Sequence, residues 1–259
     1  MAGRERWIEG FGIGCLVLVV VGIILAGGFW LVMMGLTSRA LETRQALDAA
    51  YPTQESFTPP TDGSIPRDRL ERFLAVRRLL LPHCPKFTDH RRVFERMERL
   101  DRAEEEPPPG EFLKAVGAFP RTLFGLGRDV GDYAIARNEA LMEQEMGLGE
   151  YTWIYTITYF SWLGNRPANF LVQEDSTTKI FHGRVRGEIK RMMHRHIAEL
   201  EMDGGESSGS PRTRGRLSLW RAEVEAMDRE ETRIPFEDGL PPELEESLEP
   251  FREELERVF

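Results

Sequence analysis

Apolar residues are arranged along this chain in two ways: one unbroken block near the N-terminus, then spaced stripes. Residues 10–38 contain no charge, the flanking charges being Glu9 and Arg39. The block reads FGIGCLVLVVVGIILAGGFWLVMMGL. A helix needs about 20 apolar residues to cross the hydrocarbon of a bilayer, so 10–38 is expected to be a single transmembrane helix with some tilt. A cleaved signal peptide has an apolar stretch of only about 7–15 residues, and this block is much longer. Gly14-Cys15 does not read as a lipoprotein processing site, because most of the apolar run follows the cysteine.

After residue 65 the apolar positions recur at helical spacing. Ser64-Ile65-Pro66-Arg67 is a helix-start signal, followed by Leu70, Phe73, Leu74, Leu80 and Leu81 and stopped by Pro82. A second helix is expected from Thr88, with Val93, Phe94, Met97 and Leu100 on its stripe, and 104–110 as a linker. Phe112, Val116, Phe119 and Leu123 mark a third, expected to kink or break at Pro120. Gly125, Gly127 and Gly131 weaken it before Tyr133, Ala134, Leu141, Met142 and Met146 resume the pattern.

A strong helix is expected over 176–202, with Phe181, Val185, Ile189, Met192, Met193, His196 and Leu200 facing inward. Residues 203–215, DGGESSGSPRTRG, read as a flexible loop. Leu217, Trp220, Val224 and Met227 mark the next helix, and Leu244, Leu248, Phe251, Leu255 and Phe259 the last. No hairpin signal and no internal repeat is found. The expected fold class is all-α: a tail over 1–9, a transmembrane helix over 10–38, a proline-containing tether over 39–65 and a multi-helix bundle over 66–259.

Residues 151–163 are unusual. They hold three of the five tyrosines and two of the five tryptophans, and carry no charge. At helical spacing their apolar residues cover every side, which describes a central buried helix. The β-branched and aromatic content also suits a strand, but a lone strand has no partner here. Core packing is the plain reading; the sharper one makes Tyr151, Trp153, Tyr155, Tyr159 and Trp162 a pocket wall or partner surface.

Composition alone hides the anchor: 41% of residues are hydrophobic, 30% charged, and mean hydropathy is −0.38. The net charge of −9 is distributed in blocks. Residues 67–102 carry eleven Lys and Arg against six acids; 103–175 carry five against twelve; 235–259 carry two against nine. Basic and acidic helices are therefore expected to face each other, which sets register more than stability. Nucleic-acid binding is not expected of an acidic chain without a nucleic-acid motif.

Within the anchor, Gly10, Gly14, Gly22 and Ala26 fall near one stripe, where small residues allow a second helix to approach; homo-oligomerisation through this helix is one expectation. Arg4 and Arg6 flank one end and Arg39 and Arg44 the other, so positive charge barely favours an orientation. A short tail inside the cell and a domain on the extracytoplasmic side of the cell (inner) membrane is the expected arrangement.

Candidate chemistry is sparse. Cys15 lies in the anchor and Cys84 in the domain, so no disulfide framework exists. Cys84 lies beside His83, a neighbour that favours a thiolate where the two side chains meet. No histidine has metal-motif spacing; His194 and His196 are two apart and cannot aim at one ion from one helix. Gly125, Gly127 and Gly131 miss dinucleotide-loop spacing by one residue, and no strand precedes them. No catalytic residue, metal or cofactor is assigned. The expected function is an interaction, scaffold or accessory subunit of a membrane-associated complex, bound to lipid through 10–38 and to a membrane-proximal protein. The alternative is a tethered module for an apolar ligand, a lipid or hydrophobic peptide, built on 151–163. An enzyme using His83, Cys84 or His90 is the third reading.

Overall fold

The computed structural model describes residues 35, 38–86, 109–165, 177–208 and 210–258, with side chains in 35, 38–86, 125–165, 185–202 and 210–258. Apart from residues 35 and 38, the expected membrane helix with Gly10, Gly14, Gly22 and Ala26 lies outside the described residues, as does the helix expected from Thr88. Among the described residues every regular element is helical, and no helix is long and apolar enough to cross a membrane.

The elements are α1 (38–50), α2 (Arg67–Leu80) with a 3₁₀ turn (Leu81–His83), and α3 (Pro109–Glu143). Then come α4 (Leu148–Tyr155) with a π-helical extension (Thr156–Trp162), α5 (Thr177–Ser208) and α6 (Pro211–Arg229). α7 (Pro242–Leu248), a 3₁₀ turn (Glu249–Phe251) and α8 (Arg252–Arg257) close the fold.

α2 starts where proline cannot continue a helix backward: Pro66 caps it in an extended conformation, Asp68 sits in the first turn and Arg77 and Arg78 in the last. It runs antiparallel to the second half of α3. At one end Arg69 donates to the Glu145 carbonyl (3.1 Å) and Arg72 to the Gln144 carbonyl (3.2 Å). At the other, Lys86 lies 3.7 Å from Asp129. α3 ends in a left-handed residue, Glu145 (φ 49°), and the Met146 amide closes the turn on the Leu141 carbonyl at 2.9 Å.

The blocks of charge do meet. Arg69 pairs with Glu150, Arg72 with Glu145, and Arg78 with Glu254, so basic α2 faces acids from both acidic blocks. α5 and α6 form an antiparallel hairpin tied by Lys190–Asp228 and Arg221–Glu201. One core joins all of this, from Leu47 of α1 through Phe73, Trp153, Met193 and Trp220 to Val258. Ile189, Met192, Met193, His196 and Leu200 face inward as their spacing predicts, and His194 is exposed.

Three expectations need correction. α3 passes through Pro120 and Gly125, Gly127 and Gly131 without a break. Each glycine costs about 1 kcal/mol in a helix, and the burial of Ile135, Ala140 and Leu141 against the core opposes that cost. The loop expected over 203–215 shrinks, because α5 runs to Ser208 and α6 begins at Pro211. Ser210 accepts from the Thr213 amide at 3.1 Å and Pro211 follows at the first helical position, a start signal that outweighs the glycine and serine content.

The third correction concerns 39–65. Residues 38–50 are helical, Leu47 is fully buried, and 51–66 form a strap packed across the bundle. Two glycines permit this closeness: a Cβ at Gly147 would lie 2.6 Å from the Pro52 carbonyl oxygen, and one at Gly149 would lie 2.5 Å from Phe57 Cβ. The prolines shape a docked strap here rather than a free tether.

Candidate functional site

The aromatic segment is helical, as its period and lack of a strand partner suggested, and it occupies the centre of the bundle. Tyr151, Trp153 and Tyr159 are buried; Tyr155 and Trp162 are half-buried. Tyr151, Tyr155 and Tyr159 recur every four residues and form a column, with ring centroids 6.0 and 4.8 Å apart. Phe73 of α2 packs on the column at 5.4 Å from Tyr151 and 6.2 Å from Tyr159. The helix widens here to π geometry, the Leu163 amide reaching back five residues to the Thr158 carbonyl at 3.0 Å.

The column encloses a charge that the sequence pattern did not single out. Arg77 of α2 is 4% exposed. Its guanidinium lies 5.2 Å from the Tyr155 ring centroid and 5.3 Å from that of Tyr159. Nη1 reaches the Tyr151 hydroxyl at 3.5 Å, and Nε and Nη2 donate to the Val258 carbonyl. Burial alone would push the guanidinium down, but the phenols of Tyr151, Tyr159 and Tyr155 outweigh it and hold Arg77 above its ordinary value. Burial pushes the Tyr155 phenol up to about 12, with Arg77 opposing, and raises Tyr159 in the same way. Arg77 is therefore a fixed cation across the neutral range.

Trp153 faces elsewhere. It stacks on Trp220 of α6 (5.6 Å, 20°), which also meets Phe236 edge-on (5.4 Å) and His196 of α5 face-on (3.8 Å, 30°). Trp162, at the far end of the segment, lies under the Arg252 guanidinium at 4.1 Å. The five aromatic residues proposed from sequence thus divide into an arginine cage, a tryptophan stack and a cation–π contact with the C-terminal helix.

His83 and Cys84 do not engage each other. The Cys84 thiol donates back to the Leu80 carbonyl (3.8 Å), while the His83 ring meets Tyr133 edge-on at 6.2 Å. His90 and the side chain of His182 lie outside the described residues. Among the described residues no three His, Cys, Asp or Glu side chains gather to hold a metal ion.

The residues that sequence reasoning missed are three arginines. A signal for Arg77 existed: it sits on the buried stripe of α2, four residues after Phe73 and three before Leu80. Arg195 and Arg216, which hold the strap, gave none. No known protein family, curated protein or solved structure matches this chain.

Proposed function

We propose that this chain is a single-pass membrane protein whose helical bundle serves as an interaction, scaffold or accessory subunit of a membrane-associated complex. The observation that carries the reading is the uncharged stretch 10–38, which leads directly into α1, a helix whose Leu47 is fully buried in the bundle core. On this reading the anchor enters the domain through a packed helix and strap, so the bundle is held at the membrane surface in a set orientation. A rigid mount of that kind suits a subunit that presents one face to neighbours in the same membrane. The Gly10, Gly14, Gly22 and Ala26 stripe offers a contact for a second helix, and the domain is placed on the extracytoplasmic side of the inner membrane.

The ligand-module alternative is less well supported, because Trp153, Tyr159 and Trp220 spend their faces on one another and on Phe73 and Phe236. Two measurements test the main reading. Alkaline carbonate extraction should leave the full chain in the membrane pellet and release a chain lacking 1–37. Affinity purification in mild detergent at native abundance should recover a stoichiometric partner; a chain that purifies alone overturns the scaffold role.

A further inference from the structure

The strap has few main-chain hydrogen bonds of its own: Ser56 and Phe57 amides to the Thr53 carbonyl, and Gly63 to Pro60. Four of its other carbonyls accept from side chains of the α5–α6 hairpin. Arg195 donates to the Gln54 carbonyl (2.9 Å) and to that of Phe57 (2.7 and 3.0 Å). His196 Nδ1 meets the Pro59 carbonyl at 3.1 Å, and Arg216 donates to that of Thr61 at 2.6 Å. Three adjacent grips therefore hold one irregular segment, and one of the three is titratable in the physiological range.

A carbonyl only accepts, so Nδ1 of His196 carries the proton and Nε2 keeps its lone pair. The ring is 0% exposed and stacked on Trp220, and Nε2 has no hydrogen-bond partner among the described residues. The charged groups facing it are Arg216 on α6 and Asp62 on the strap. Arg216 is itself paired with Glu243 of α7 at 3.1 Å, and Asp62 is already engaged by the amide and hydroxyl of Ser64 at 2.9 and 2.8 Å. On its own helix, the neighbouring Arg195 is turned to the strap carbonyls.

We propose that His196 is an acid-sensitive latch, whose protonation releases the strap 51–66 from the bundle while the helices beneath it stay folded. A second proton on Nε2 would place an N–H and a full charge in a dry stack beside Arg216. Solvating them requires the ring to leave Trp220, and that movement breaks the bond to Pro59. Burial is the main influence holding His196 below its ordinary value, the Pro59 bond opposing it. The sign follows: the released strap frees a histidine of ordinary pKa, about 6.5, which binds protons more readily than the latched one. The latch is at full strength above that pH and weakens as pH falls below it. That the strap is also the link to a membrane anchor rests on the function proposed above; the latch itself does not.

Hydrogen–deuterium exchange of the full chain in detergent, at pH 7.5 and 5.0 with times scaled for intrinsic exchange, tests this. Peptides covering 51–66 should lose protection about tenfold or more at pH 5.0 while α2 and α5 peptides hold theirs, and His196→Gln should abolish the difference. Equal strap protection at both pH values, loss spread evenly over the bundle, or a pH effect that survives His196→Gln would each overturn the latch. Where His196→Gln does not fold, the exchange of the His196 ring Cε1 proton reads the wild-type titration directly. A midpoint clearly below the ordinary value is expected, and one at or above it overturns the proposal.

Discussion

Nε and Nη2 of Arg77 donate together to the Val258 carbonyl, at 3.2 and 2.8 Å, so one guanidinium on α2 holds the last turn of α8. The same group lies over the rings of Tyr155 and Tyr159. Lysine keeps the charge but has neither the fork nor the flat face. Arg77→Lys is therefore expected to cost about 2–3 kcal/mol, a buried charge being left with fewer partners. Arg77→Met bares the carbonyl but removes the charge, and should cost less, about 1–2 kcal/mol. Thermal unfolding followed by near-ultraviolet circular dichroism ranks the two; lysine tolerated as well as methionine would sink the account.

The tyrosines give an alkaline signature. Burial raises Tyr133, Tyr155 and Tyr159, Tyr155 to about 12. In the unfolded chain they ionise near about 10, so the unfolded state loses protons first. Their contribution to stability is complete below pH 10 and declines as pH rises from there toward 12. Absorbance at 295 nm should show part of the five tyrosines still neutral at pH 11 and ionising together with unfolding. Complete ionisation of a folded chain by pH 11 contradicts the cage.

How much of this was legible follows from which interactions leave a periodic trace. The inward face of α5 was readable because apolar side chains make it, and Ile189, Met192, Met193 and Leu200 repeat with the helix. The helical state of 151–163 was readable, but its π geometry was not, since no proline or cap marks it. Arg77 was passed over because a charge on an apolar stripe reads as an interruption, although tyrosine faces can bury it. The strap was misjudged for a different reason. Its prolines look like those of a tether, and the bonds that dock it run from Arg195, His196 and Arg216 to main-chain carbonyls, which every residue carries.

The break between α5 and α6 depends on one cap. Ser210 Oγ accepts the Thr213 amide and meets the Thr213 hydroxyl at 3.0 Å, satisfying a donor that α6 leaves open. Ser210→Ala is expected to cost about 0.5–2 kcal/mol, and Ser210→Asp to be close to neutral because a carboxylate caps equally well. Chemical denaturation monitored by circular dichroism separates them; equal losses would mean the cap contributes nothing.

The approach of the strap to α4 is a steric matter that one methyl group can test. A Cβ at Gly149 would meet Phe57 Cβ at 2.5 Å and the Thr53 carbonyl oxygen at 2.6 Å. The second is main chain and has no rotamer to change, so the strap or α4 must move. Overpacking costs about 1–3 kcal/mol, and a clash with main chain at 2.6 Å belongs in the upper part of that range, above the helical gain of about 1 kcal/mol from replacing glycine by alanine. Gly215, at an exposed position of α6, has nothing within 4 Å of its Cβ position and is the natural control. Gly149→Ala should therefore lower the unfolding midpoint while Gly215→Ala leaves or raises it. The damage should also be local. Protease cleavage within 51–66 should become faster in Gly149→Ala at temperatures where far-ultraviolet circular dichroism still shows a folded bundle. If Gly149→Ala instead stabilises the chain as Gly215→Ala does, the strap does not lie on α4 as closely as these distances place it.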